Sequence, residues 1–173
     1  YIFENVTNVV NIANPILVND ATAKGQVAVL AQGTGNGMTL NGGISVVGDN
    51  NTGVYSSTGQ TVTNNGLLTV GASTGDSSIG IYSRGGAVIN NGVSTIGNNS
   101  LGIYGEGTSI TTKDMTVGDK GVGLYLNNTA LGQGDAIVNG NVSVGGNEAI
   151  GIQASNAKTY LQGDLTVGTG DSK

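Results

Sequence analysis

The chain of 173 residues has no cysteine, no histidine and no tryptophan, and a single proline. Without cysteine or histidine it cannot assemble a Ser-His-Asp or Cys-His triad, or a zinc site with those ligands. A chain lacking thiols suits export to an oxidising compartment, although many cytosolic proteins also manage without them. Aromatic residues make up only 4%, thin for a compact globular core, where aromatics carry much of the buried area. Charged residues are 10% of the chain, too few for a typical disordered segment. The six basic residues (Lys24, Arg84, Lys113, Lys120, Lys158, Lys173) are scattered and the formal net charge is −5. Phosphate binding needs clustered Lys and Arg, so nucleic acid is not an expected partner. No apolar run approaches the ~20 residues of a membrane-spanning helix, and no stretch reads as a signal peptide.

What the chain does have is glycine, 32 residues of it, with asparagine, serine, threonine and short runs of Val, Ile and Leu. That mixture predicts many short strands broken by frequent turns. One block recurs six times, a short strand ending in glycine: Ile44–Gly48, Leu67–Gly71, Val93–Gly97, Met115–Gly118, Asn141–Gly145 and Asp164–Gly168. The closing glycines lie 23, 26, 21, 27 and 23 residues apart, an average of 24. A second block follows the first five: Thr52–Tyr55, Ile79–Tyr82, Leu101–Tyr104, Val122–Tyr125 and Ile150–Gln153, with a degenerate earlier copy at Val27–Leu30. A third, looser block appears at Gln60–Asn64, Ala87–Asn91, Ser109–Thr112, Ala136–Asn139 and Thr159–Leu161.

Three short strands per period, with no apolar stripe at helical spacing, predict an all-β solenoid. Such strands cannot stand alone, but stacked coils give each one a partner above and below. The expected fold is a right-handed parallel β-helix with three short strands per coil of about 24 residues. The absence of a strict hexapeptide period argues against the left-handed form, and right-handed crossovers between parallel strands are the rule.

Period-two alternation predicts which residues face inward. Counting from the closing glycines puts Val47, Val70, Ile96, Val117, Val144 and Val167 inside. It puts Val46, Thr69, Thr95, Thr116, Ser143 and Thr166 outside. The central glycines of the second block (Gly53, Gly80, Gly102, Gly123, Gly151) are expected to face out. Asn and Gly suit corners needing positive φ, and stacked asparagines can hydrogen-bond along the rod as amide ladders. Longer corner loops are expected at 72–78 and 127–135. Residues 1–24 match the repeat poorly and read as divergent coils around Pro15 or as a connection to a preceding solenoid. Residues 25–173 are the repeats proper, cut in mid-coil, and the expectation is that the chain is a fragment of something longer.

The fullest copy of the repeat runs from Asn90-Asn91-Gly92 through Thr95-Ile96-Gly97 to Leu101-Gly102-Ile103-Tyr104. This pattern resembles the passenger repeats of large bacterial type V autotransporters, most of all the fusobacterial adhesins of the RadD type, over residues 25–173. The resemblance implies an extracellular adhesin rod tethered to the bacterial outer membrane by a C-terminal barrel that lies outside this chain. Its partner would be a surface protein or glycan of another bacterium or of a host cell.

Four tyrosines, Tyr55, Tyr82, Tyr104 and Tyr125, hold one repeat position and are expected to stack as a ladder on one face. Their functional reading is an aromatic strip for sugar rings, aromatic side chains or guanidinium groups, with the outward glycines leaving each ring room to lie flat. Their structural reading is a cover over the backbone, each ring packed on the next. The threonine column can order water as ice-binding solenoids do, but with one hydroxyl per coil and Val46 interrupting it, surface strand propensity explains it better. Asp49, Asp76, Asp119 and Asp171 cluster after the closing glycines, where glycan-cleaving β-helices carry acid–base or calcium groups; turn formation explains them more simply. Gly145-Gly146-Asn147-Glu148 departs from the calcium-binding nonapeptide, and Gly33–Gly37 lacks the lysine and following helix of a phosphate loop. The chain is therefore read as a stalk and interaction segment, with no enzyme activity, no metal and no cofactor. A glycan-binding or glycan-degrading β-helix is the alternative.

Overall fold

The structure, a computed structural model, describes residues 1–33, 35–57, 59–130 and 133–168. Strands follow one another in threes, one trio per coil. The first coil holds β1 (Ile2–Glu4), β2 (Val10–Ile12) and β3 (Ile16–Val18); the second holds β4 (Val27–Gln32), β5 (Met38–Leu40) and β6 (Ile44–Val46). The third has β7 (Thr52–Ser56), β8 (Thr61–Asn64) and β9 (Leu68–Val70), and the fourth β10 (Ile79–Arg84), β11 (Ala87–Asn90) and β12 (Ser94–Ile96). Next come β13 (Leu101–Glu106), β14 (Ser109–Thr112) and β15 (Met115–Val117), then β16 (Val122–Asn127), β17 (Ala136–Val138) and β18 (Val142–Val144). The last trio is β19 (Ile150–Ser155), β20 (Thr159–Leu161) and β21 (Leu165–Val167).

Every third strand pairs with the next in parallel, giving three seven-stranded sheets that run along one solenoid with coils of about 25 residues. We call the sheets after their first strands: the β1, β2 and β3 sheets. The predicted all-β, three-strand coil is what the chain adopts. Residues 1–18, which match the repeat weakly, form the first trio, with Ile2 beside Leu30, Ile12 beside Leu40 and Val18 beside Val46. The strand β5 carries none of the block signatures, yet Met38 and Leu40 are buried in register with Val62 and Asn64.

The core is a set of columns rather than a cluster. Val29, Val54, Ile81, Ile103 and Leu124, all at 0% exposure, stack up the β1 sheet, while Val46, Val70, Ile96, Val117 and Val144 stack up the β3 sheet. Branched aliphatic side chains repeat at one inter-strand spacing, ~4.8 Å, and interdigitate across the narrow interior without an aromatic ring among them.

Two features of the inward pattern differ from the sequence expectation. In the second coil, Val46 and not Val47 is the inward residue, because Val46 pairs with Val70 and Ser45 with Thr69. Gly48, at φ 87°, lies two places beyond the strand end at Val46, whereas Gly71 directly follows Val70, so counting back from it slips the coil by one and inverts its faces. Corrected, the hydroxyl column is continuous as Ser45, Thr69, Thr95, Thr116, Ser143 and Thr166. The central glycines also face in, not out. A Cβ on Gly80 would lie 2.7 Å from Leu68 Cδ1 and from the Gly102 carbonyl, and one on Gly53 2.6 Å from Ile44 Cγ2. Gly80 and Ile81 are both buried and both turn to the core, so alternation breaks at the glycine. The β3-sheet side chains fill the space where a glycine-column side chain would sit.

The Asn-Asn-Gly motif folds into two amide ladders, as stacking predicts. The first Asn faces in: Asn64 donates to Asn90 Oδ1 at 2.7 Å, and Asn90 donates to Thr112 Oγ1 at 3.0 Å, all three at 1% exposure or less. The second faces out: Asn91 donates to Asn65 at 2.9 Å and Asn65 to Asn41 at 2.8 Å.

The glycine column makes a direct prediction. Gly80→Ala drives a methyl group into backbone and core, and overpacking of this kind costs about 1–3 kcal/mol. Gly145→Ala meets nothing within 4 Å and should be near neutral. Urea denaturation of the two variants checks this; equal midpoints would show that the glycines are not packed as described.

Candidate functional site

The four tyrosines occupy adjacent strands of the β1 sheet in strict register, Tyr55 beside Tyr82, Tyr82 beside Tyr104 and Tyr104 beside Tyr125. Ring centroids are 4.9, 4.8 and 5.0 Å apart, with interplanar angles of 53°, 42° and 18°. The ladder is bounded by Leu30 below and Gln153 above. A phenol ring is wider than one inter-strand spacing, so neighbouring rings at these distances cannot lie flat on the sheet. They stand tilted against one another, and no sugar ring or guanidinium fits between successive faces. Inward glycines also remove the reason given for flat rings. Edges and hydroxyls, rather than faces, are what the middle of the ladder offers.

Two residues beyond each tyrosine, on the same outward face, runs a polar column: Ser57, Arg84, Glu106 and Asn127. Arg84 Nε meets Glu106 Oε2 at 2.9 Å, and the Tyr104 hydroxyl donates to Glu106 Oε1 at 3.0 Å. The carboxylate is thus gripped from two sides. Burial and the neighbouring Glu106 carboxylate hold the Tyr82 and Tyr104 hydroxyls protonated above the usual tyrosine range. The Glu106 charge, followed by the Tyr55 hydroxyl, stabilises the Arg84 cation.

Beside this column the corner between the β1 and β2 sheets opens into a groove of about 570 Å³, lined by Ser57, Gly59, Arg84, Gly85, Glu106, Gly107, Asn127, Thr129 and Gln133. Gly59, Gly85 and Gly107 have φ of 80°, 68° and 59°, a corner conformation that side chains resist. They keep the groove floor free of side chains. Thr129 and Gln133 come from the long 127–135 stretch, where Gln133 Oε1 accepts from the backbone N–H of Thr129 and of Ala130. Asn128, buried beneath, accepts from the Gly107 N–H and donates to the Gly134 carbonyl. Sequence reasoning found the tyrosines but not the groove. The loop length at 127–135 was the signal available.

The corner carboxylates do other work. Asp49 Oδ1 accepts from the backbone N–H of Thr74 at 2.7 Å and of Gly75 at 3.1 Å, and Lys24 Nζ lies 3.4 Å from Oδ2. Asp119 Oδ1 accepts from Asn147 N–H at 2.9 Å. Each ties its corner to the loop of the next coil, which is a turn-holding role. Asp171 lies outside the described residues. Among the described residues no group of three or more His, Cys, Asp or Glu is placed to hold a metal ion, and no helix is long and apolar enough to cross a membrane.

Comparison of the chain with protein-family models, with curated proteins and with solved structures finds no match.

Two titrations test this description. The Gly75 and Thr74 amides hold the Asp49 carboxyl below its usual range, so its folded pKa is below its unfolded one. Its contribution to stability is present above the unfolded value, 3.8, and is lost as pH falls through the folded one. Asp49→Asn should flatten the acid limb of a denaturation-midpoint profile; an unchanged limb would contradict the capping. For Tyr82 and Tyr104 the sign is reversed: their folded pKa is raised, so stability is full below the unfolded tyrosine pKa and declines as pH rises above it. Phenolate absorbance should show a late-ionising fraction that Tyr82→Phe diminishes. A single ordinary tyrosine step in the native protein would count against the ladder.

Proposed function

We propose that the chain is a segment of an extracellular bacterial adhesin, a stiff stalk whose side faces also serve as an interaction surface. The observation that supports it most is the unbroken register of three parallel sheets over all the coils. Bending such a rod stretches hydrogen bonds on one side and compresses packed columns on the other, because coils touch only their neighbours. A solenoid that repeats its exposed residues at each coil is suited to holding recognition elements away from a surface. The resemblance to autotransporter passenger repeats supplies the cellular setting: outside the cell, tethered through an anchor beyond this chain, facing another bacterium or a host cell. The corner aspartates favour a non-enzymatic reading, since Asp49 and Asp119 are engaged in holding backbone amides.

A second reading, a glycan-binding solenoid, is favoured by the polar groove beside the tyrosine ladder.

The adhesin reading is tested on producing cells. Antibodies against the segment should label intact cells, and mild surface proteolysis that removes the label should reduce attachment to partner cells. Labelling that requires permeabilisation would refute it.

A further inference from the structure

The groove deepens the interaction-surface half of that reading, on which its biological setting rests. We propose that it binds an extended, uncharged, β-linked glycan laid along the solenoid axis, one sugar to each coil.

The geometry points there in three steps. First, the groove is not a place for an added peptide strand. Peptide addition needs unpaired backbone groups at a sheet edge, whereas the corner backbone here is bonded from coil to coil, Gly59 N–H to the Arg84 carbonyl at 3.1 Å and Gly85 N–H to the Glu106 carbonyl at 2.8 Å. Recognition falls to side chains. Second, those side chains are the kind that read hydroxyl groups. Arg84 supplies a fork of donors, Glu106 carboxylate acceptors, Asn127 both, and the Gln133 amide keeps its Nε2 donors while its Oε1 is used within the loop. The Arg84–Glu106 ion pair and the Tyr104 hydroxyl hold two of these groups in fixed positions, which lowers the ordering cost of binding. The opposite charges of the pair cancel, so a neutral polyhydroxyl ligand fits better than an anionic one.

Third, the groove has the period of such a chain. Ser57, Arg84, Glu106 and Asn127 come from four successive coils. At the usual strand spacing they span about 14 Å. An extended β-linked glycan advances by about one coil per sugar, so each successive sugar, turned over relative to the last, comes level with the next polar side chain of the column and offers it alternate edges. An α-linked chain curls and loses the match. The groove volume, about 570 Å³, lies in the range that holds small ligands. The tyrosine edges form the adjoining shoulder, and their hydroxyls serve the groove by orienting Glu106.

The experiment is calorimetric titration of the segment with neutral β-1,4-linked gluco- and N-acetylgluco-oligosaccharides of two to six sugars. An α-1,4-linked series and an anionic oligosaccharide serve as comparisons. Affinity should rise with β-linked length up to four sugars and then level off, with the α-linked and anionic sugars weaker. Asn127→Ala and Gln133→Ala should each weaken binding by about fivefold to tenfold, the loss of one or two hydrogen bonds, with an unchanged circular dichroism spectrum. Glu106→Gln leaves Arg84 unbalanced and should shift preference toward the anionic sugar. No binding by any β-linked oligosaccharide, affinity independent of length, or binding unaltered in both alanine variants would each overturn the proposal. Intact-cell labelling without oligosaccharide binding would sink the groove alone. Oligosaccharide binding with label confined to permeabilised cells would sink the adhesin reading alone.

Discussion

Beyond the first coil, each strand of this solenoid sits in register on its counterpart from the coil before, one strand spacing away. That constraint governs nearly everything else. A side chain is acceptable only if it packs or bonds with a copy of itself or a close substitute, above and below. Val, Ile and Leu satisfy this inside, Asn satisfies it through its paired donor and acceptor, and tyrosine satisfies it outside by tilting. Glycine is needed wherever the facing sheet has already claimed the space. The interior is therefore not assembled from complementary shapes, as in a globular core, but from like placed on like.

The exceptions mark where a column changes composition. Asn64, Asn90 and Thr112 form a polar stretch in a column that continues as Leu40 on one side and Val138 on the other. Asn64 Oδ1 is left without a hydrogen-bond partner, as expected where an amide column meets leucine. Ser56, whose hydroxyl is also buried and unpaired, lies in a column shared with Ala31 and Leu126. Each costs free energy as an unsatisfied group, and each sits where a ladder begins or runs beside apolar residues.

How much of this could be read beforehand depended on whether a feature belongs to a column or to a corner. Columns were legible: the inward Val/Ile series, the asparagine ladders and the four tyrosines repeat too regularly to be missed. Corners were not. Gly48 looks like the closing glycines of later coils but lies one residue further on, so counting back from it inverts the faces of the second coil. Strict alternation does not give the facing of Gly53 and Gly80, because the alternation breaks at the glycine itself. The β1–β3 and β5 strands are held by register with their neighbours rather than by any motif of their own. The groove is built by residues from strand ends and from the 127–135 loop, whose positions depend on the Gln133 and Asn128 hydrogen bonds. No periodicity could announce it.

In-register stacking also makes the molecule's length a counted quantity. Removing the stretch from Ile79 to Ser100 would bring Leu101 onto Thr52, and every column would close over the gap in phase. Removing one residue fewer or more within a strand would exchange inside for outside along that coil. Gain and loss of material in such a chain is thus confined to whole coils, or to corner loops such as 72–78 and 127–135. Reach changes in discrete steps, while surface chemistry changes at the corners, and the two can be altered independently.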